Sequence, residues 1–400
     1  LDLVKGIRGS DLARPGFKAN PYPFYARLRA EEPVCRISAL WSHAWLLTRY
    51  DDVVEFLRDD RFAKDITAKM PWLPGFLQPA LHHMLNRDPP DHTRLRALVS
   101  KAFTPRRIEQ LRGRIEGLCE ELLAGPRRDR AFDLVGGYAL LIPLTIIGEL
   151  LGIPDRDRRR FHTFTRGSLP LIAPTGIADV ALALPYSWLL LRYFRRLIAD
   201  RREHPGEDLV TALVQAEEGG DRLTEDELVG MAVLLLLAGY ETTVHLIGSG
   251  ALALLQHPQQ RERFLEDPEV ADTAIDELLR YTSPIEITPP RVACEDVTIG
   301  SVTIPRGDMV AAVIGSANHD ESQFPEPESL DLGRRPNRHV AFGQGIHFCL
   351  GAPLAELEGR IALETLFRRF PDVKLAQPAE SLRWRKAMPL RGLEQLPVTL

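Results

Sequence analysis

The chain has 400 residues and a formal net charge of −5, with 44% hydrophobic and 26% charged residues. That balance excludes disorder on a large scale and permits a large buried core, and the slightly acidic charge gives no reason to expect a nucleic-acid partner. The four cysteines, Cys35, Cys119, Cys294 and Cys349, form no CxxC pair, so neither a zinc ribbon nor a disulfide-stapled secreted scaffold is expected.

Only seven of the 50 Lys and Arg residues are Lys, a skew that a GC-rich genome explains as well as any interaction does. The opening Leu1-Asp2-Leu3-Val4-Lys5 lacks a basic flank followed by a long apolar stretch. No signal peptide or membrane anchor is read there, and a reducing cytoplasm is the expected location. The first strand-like piece is Ala44 to Thr48, and Pro-rich breaks follow at 71–79 and 88–90. In Asp88-Pro89-Pro90-Asp91-His92-Thr93-Arg94-Leu95-Arg96, Asp88 is placed to cap a helix with Pro in its first turn. His92 and Arg96 lie four apart and face one way. A helix is expected over 107–124, with Ile108, Leu111, Ile115, Leu118 and Leu122 on one face. Further helices are expected over about 138–152, 186–202, 258–280 and 350–370, and short strands between Ile285 and Ile314.

Val229 to Leu255 is nearly uncharged over 27 residues, long enough to span a bilayer. Glu241 and His245 fall in its middle, where charge in lipid is costly, and Thr224 with Glu227 forms a capping-box pattern at its start. A central helix buried on all sides is therefore expected. Inside it, Ala238-Gly239-Tyr240-Glu241-Thr242-Thr243 sets an acid beside a hydroxyl in apolar surroundings, after a glycine that leaves room for a ligand. Taken alone, the same residues describe a helix kink with a solvated Glu. The pair Glu277 and Arg280, three apart on one helix face, is by itself common surface decoration.

The most specific string is Phe342-Gly343-Gln344-Gly345-Ile346-His347-Phe348-Cys349-Leu350-Gly351. Its glycines allow a tight turn and close approach to a flat ligand. Cys349 stands just before a helix with Pro353 in its first turn, and free amides at such an end favour a thiolate. A thiolate in a Gly-lined loop suits haem iron. An isolated cysteine in a turn would instead read as a small buried hydrophobe.

The string resembles the haem-ligand signature of the cytochrome P450 family, F-G-x-G-x-H-x-C-x-G, at every fixed position. The family pattern often continues as L-A-R-x-E. Here the continuation is Leu354-Ala355-Glu356-Leu357-Glu358, with Glu356 where Arg is usual, close to the surface expected to face a reductase. The blocks around Glu241, Glu277 and His92 match the family in the right order, and the resemblance covers nearly the whole chain. It implies a mainly α fold with small β-sheets, in which a long central helix lies over the haem, as one domain spanning 1–400. It implies haem b (iron protoporphyrin IX), with Cys349 as the metal ligand. It places Ala238, Gly239, Phe342, Gly343 and Gly351 against the cofactor and assigns His92, Arg96, Arg291 and His347 to its propionates. Arg recognises carboxylates with a two-pronged geometry, although each of these alone would read as an ordinary surface base. Glu241 and Thr242 are assigned to delivering protons to dioxygen. Glu277, Arg280 and Arg334 become architectural support behind the cysteine loop.

The reaction implied inserts one oxygen atom of dioxygen into a lipophilic small molecule and releases the other as water. The chain has no G-x-G-x-x-G after a strand. Electrons are therefore expected from a ferredoxin or flavodoxin with its NAD(P)H-dependent reductase, docking near Arg94, Arg106, Arg107 and Arg112. The substrate pocket is expected to involve Ile66, Met70, Leu73, Phe76, Leu169 to Ile172, Leu234, Leu237, Ile285, Ile287 and Met388, with Glu286 and Thr288 as polar anchors. Three other readings fit less well. A metal hydrolase on His339, His347 and Cys349 has no zinc-type spacing and no evident general base. A haem-thiolate gas binder has no use for Glu241 and Thr242, and related peroxygenases lack that pair.

Overall fold

The computed structural model describes residues 8–38, 43–65, 74–101, 103–126, 130–168, 171, 177–218 and 221–400. Helices dominate and the sheets are small, as the periodicity predicts. The chain divides into two compact units. One comprises Leu1–Phe62, Gln110–Ile142 and Thr242–Leu400, and the other Ala63–Glu109 and Pro143–Glu241.

In the first unit, strands Val34–Ser38, His43–Leu47, Met309–Ala312 and Arg291–Ala293 pair in that order. The first two are antiparallel, with Val34 opposite Leu47, and Met309–Ala312 runs parallel to His43–Leu47. The buried residues of these strands feed two apolar clusters. One joins Leu47 and Val310 to Val53, Phe56 and Phe324. The other joins Leu46 and Ala311 to Leu12, Tyr25, Leu28 and Ile287. Alternation along a strand sends neighbouring side chains to opposite faces, so one short sheet supplies both clusters. Lys374–Leu375, Pro397–Thr399 and Phe132–Asp133 form a separate three-stranded sheet.

The helix Ala352–Arg369 packs on the latter part of the central helix Glu225–Gln256. The approach is close: a Cβ at Gly359 would lie 2.9 Å from the Leu246 side chain. The central helix is long and apolar enough to cross a membrane by length and composition, yet 72% of its most apolar window is buried in protein. Its start carries the expected capping box. The Thr224 amide donates to Glu227 Oε2 (2.8 Å) and the Glu227 amide to Thr224 Oγ1 (3.3 Å).

Several boundaries differ from the sequence reading. The helix expected over 107–124 is two helices, Pro105–Glu109 and Arg112–Ala124. The helix expected over 258–280 breaks at Asp267, whose carboxylate accepts the Glu269 amide (2.9 Å) and caps a new helix opened by Pro268. The expected helix over 186–202 runs from Ile177 to Glu203 and carries Pro185 inside it. Asp88 does not cap the helix Asp91–Ser100. Its carboxylate instead accepts the amides of Lys64 (2.9 and 3.0 Å) and Asp65 (3.1 Å), the two residues that follow a short strand.

Candidate functional site

The cysteine string folds as a closed loop in the first unit. Gly343 (φ +74°) and Gly345 (φ +70°) hold left-handed conformations that L side chains rarely adopt. The Gly343 amide donates to Val340 O (2.9 Å), the Phe348 amide to Gly345 O (3.1 Å) and the Cys349 amide to Phe342 O (3.0 Å). Gly351 caps the helix Ala352–Arg369, with Pro353 in its first turn. The Cys349 thiol is half-buried and not in a disulfide. The neighbouring Ile346 and Phe348 are each 44% exposed, an unusual state for large apolar side chains. Among the described residues no group of three His, Cys, Asp or Glu could hold a metal ion, which leaves no zinc-type cluster for a hydrolase. A thiol at a helix start, in a glycine loop with exposed apolar side chains beside it, fits a flat apolar macrocycle carrying its own metal.

The loop rests on the end of the helix Tyr50–Arg58. Space is tight there, since a Cβ at Gly345 would lie 3.1 Å from Leu57 O. Arg58 donates to Gln344 Oε1 (3.0 Å). Buried Arg291 donates to the carbonyls of Phe56 and Leu57 (both 3.1 Å) and lies over the Phe56 ring. Arg291 and the cysteine loop therefore meet on one helix end. His347 ends the loop's 3₁₀ turn and is half-buried.

Glu277 and Arg280 are fully buried and paired through two hydrogen bonds (2.7 and 2.8 Å). Arg334 donates to both oxygens of Glu277 (3.1 and 3.2 Å), so the three residues named from sequence do come together. Arg280 also donates to Asn318 O and Pro327 O (both 2.8 Å). Asn318 in turn accepts the Val340 amide at its side-chain oxygen (2.8 Å), and Val340 O accepts Gly343. A continuous set of hydrogen bonds thus links this buried ion cluster to the glycine turn before Cys349. Removing one partner of such a cluster leaves a buried charge uncompensated. Arg280→Ala is expected to cost about 3–5 kcal/mol, a large part of an ordinary fold's stability. Arg334→Ala should cost less, because its side chain is partly exposed and Arg280 remains. Denaturant midpoints of the two variants check the order.

On the central helix Glu241 is 7% exposed and Thr242 half-buried. Ala238 is exposed despite its apolar surroundings. The space left by Gly239 is taken by Ile147, whose Cδ1 would lie 3.2 Å from an added Cβ. His92 is 2% exposed on the helix Asp91–Ser100, and burial together with the Arg96 charge lowers its pKa. Arg96 is half-buried. Of the cations expected to face a redox partner, Arg94 is already engaged with Glu227 and is not free for docking. Arg106 and Arg107 are exposed and Arg112 half-buried.

Of the expected pocket residues, Ile66, Met70 and Leu73, together with 169, 170 and 172, lie outside the described residues. Phe76 is 37% exposed, Leu234 is buried, and Leu237 and Ile285 are half-buried. Ile287 is fully buried in the cluster with Leu12 and Leu28, and Met388 packs against that cluster. Glu286 is not a substrate anchor. It is fully buried, takes an ion pair from Lys18 and accepts the Tyr25 hydroxyl (2.8 Å). The Thr288 hydroxyl accepts the Ala312 amide (3.0 Å). In the sequence alone Lys18 reads as a surface residue, as Lys ordinarily does. Glu356, the departure from the family pattern, is half-buried, and burial beside Asp276 raises its pKa to about 7. Cys119 lies in a helix core as expected, and burial pushes its thiol up to about 12.

The profile of the family described as Cytochrome P450 matches residues 191–383. The polyketide biosynthesis cytochrome P450 PksS of Bacillus subtilis is 46% identical over 96% of each chain. Its solved structure superposes with a TM-score of 0.91, covering 97% of this chain and 99% of that one. The vitamin D(3) 25-hydroxylase of Pseudonocardia autotrophica is 44% identical over 99% of this chain and 97% of its own. P450BioI, solved in complex with an acyl carrier protein ligated to hexadec-9Z-enoic acid, superposes with a TM-score of 0.89 at 36% identity, covering 96% and 99%.

Proposed function

The chain belongs to the cytochrome P450 family, and on that premise we propose that Cys349 is the thiolate ligand of a haem b iron. The chain is a haem-thiolate monooxygenase that hydroxylates or epoxidises a lipophilic small molecule with electrons from a redox partner. When bound, the haem supplies oxygen activation and transfer, and the protein supplies orientation and proton control. The observation that carries the assignment of Cys349 is its loop: a half-buried sulfur at a helix start, behind two left-handed glycines and beside exposed Ile346 and Phe348. Phe342, Gly343 and Gly351 shape that loop. Ala238 and Gly239 are assigned to the cofactor side of the central helix, and His92, Arg96, Arg291 and His347 to its propionates. Glu241 and Thr242 hold and pass the protons that the reaction consumes. Glu277, Arg280 and Arg334 brace the loop from behind. We read 1–400 as a single functional domain because the likeness to the relatives runs over nearly the whole chain.

The substrate side is assigned to Phe76, Leu234, Leu237, Ile285 and Met388, apolar residues of the kind that line small-molecule pockets. The names of the relatives, a polyketide enzyme and a vitamin D hydroxylase, point to bulky apolar substrates. The electron source is assigned to a ferredoxin or flavodoxin with its reductase, and the location to the cytoplasm. Turnover decides between this reading and a peroxygenase. Product should form with the redox proteins and reduced nicotinamide together, and the isolated chain with reduced nicotinamide alone should give none. Product from peroxide alone, at a rate the redox proteins do not raise, would overturn the reading.

A further inference from the structure

One turn beyond Thr242 on the central helix stands His245, only 1% exposed. Its Nε2 has no hydrogen-bond partner among the described residues. The ring is held in place by Gly392, where an added Cβ would lie 1.9 Å from Nδ1. Gly392 is itself fixed, since its carbonyl accepts the Arg385 amide (2.9 Å). The neighbouring Arg391 donates to Lys18 O (2.9 Å) and lies between the rings of Tyr22 and Trp384. The imidazole is closed in against this backbone turn and shut off from solvent.

Burial, with the nearby charges of Arg385 and Lys18, lowers the His245 pKa to about 3. The ring therefore stays neutral at physiological pH, with one nitrogen as donor and the other as acceptor. Lys18 is also fully buried. Its ammonium has three N–H donors, and among the described residues two are used, on Glu286 Oε2 and on Met388 O (2.9 Å). A buried polar atom without a partner is costly, and natural proteins relieve such sites with ordered water bound by two to four polar groups. Helical side chains lean toward the N-terminus, so the His245 ring covers the turn that carries Thr242.

We propose that His245 Nε2 and the third N–H of Lys18 hold one buried water, and that His245 acts through this water as a positioning residue for the Thr242 hydroxyl. The water accepts from Lys18, donates one proton to His245 Nε2 and donates the other to Thr242 Oγ1. With Oγ1 occupied as an acceptor, the Thr242 hydroxyl proton is turned away from the water and toward the reacting side. Burial lowers the Lys18 pKa, the ion pair with Glu286 opposes that shift and orients the ammonium, and Tyr25 holds Glu286 in turn. This inference rests on the role proposed above for Thr242.

The test combines a crystal structure of the haem-loaded enzyme with two variants, His245→Gln and His245→Leu. The wild-type structure should show an ordered water within hydrogen-bond distance of His245 Nε2, and His245→Leu should lack it. His245→Leu should yield about three- to tenfold less product per reductant, the worth of one hydrogen bond, with more peroxide and an unchanged KM. His245→Gln, which keeps an acceptor, should recover most of the yield. Absence of the water, a parent-like yield in His245→Leu, or an equal loss in both variants would overturn the proposal. If His245→Leu does not fold, the wild-type water and the His245→Gln yield still decide. A water present at Nε2 alongside a parent-like yield in Thr242→Ala would instead sink the role of Thr242.

Discussion

Cys349→Ser should abolish the thiolate spectrum: the reduced, CO-bound enzyme should lose its red-shifted Soret band, and turnover should fall to background. A serine hydroxyl is nearly isosteric with the thiol but does not ionise under the conditions that leave a cysteine thiolate available. It therefore cannot give iron the electron density that favours O–O cleavage. The loop itself should survive, because its hydrogen bonds run through the backbone, from Cys349 N to Phe342 O and from Gly343 N to Val340 O. Near-normal stability with the band lost is thus the expected combination. Cys119→Ala is the control. That thiol is buried in a helix core, and its loss should cost about 1 kcal/mol and leave the spectrum unchanged. A band that persisted in Cys349→Ser would mean that another cysteine is the ligand. Cys35 and Cys119 are buried and Cys294 is exposed, so each would need a rearranged fold to serve.

Thr242→Ala should still bind haem and substrate and still consume reductant, but product per reductant should fall on the order of tenfold or more while peroxide rises. Positioned proton transfer commonly contributes more than that to a rate. Thr242 is half-buried and follows a nearly buried Glu241, so the acid and the hydroxyl lie next to each other in the chain in a region from which most water is excluded. Without the hydroxyl the second proton has no positioned donor, and reduced oxygen leaves as peroxide. If Thr242 served only to bend the helix, its loss would change stability or substrate affinity and leave coupling near the parent value. Measuring product, peroxide and reductant in one experiment separates the two. An unchanged ratio of product to reductant would remove Thr242 from the reaction.

Periodicity and local motifs already specified much of this protein. The helical faces, the central helix with its Thr224–Glu227 cap, the cysteine loop and the Glu277–Arg280 pair could all be read in the sequence, because each depends on residues within a few positions of one another. One helix boundary is set by a local signal that apolar periodicity does not carry. Asp267-Pro268 is a cap followed by a first-turn proline, and it divides a helix that apolar spacing alone would carry through. Asp88 departs from its local pattern for a different reason: the amides of Lys64 and Asp65, more than 20 residues earlier, take its carboxylate, and no local pattern reports that.

Only the tertiary structure decided what Lys18, Glu286, Arg291 and His245 do. Lys18 and Glu286 are 268 residues apart in the chain, and neither looks unusual until folding buries both. Arg291 reads as a surface base until its guanidinium is found on two carbonyls more than 200 residues away. His245 is legible as a charge-capable residue in an apolar helix, but its closure against the backbone at Gly392, with no partner for Nε2 among the described residues, is not. The sequence by itself carried the family resemblance and the glycine loop around Cys349, because both depend on neighbouring residues. The tertiary structure decided the electrostatic surroundings of that loop, because burial and long-range pairing set the cost of a charge and neither is encoded locally.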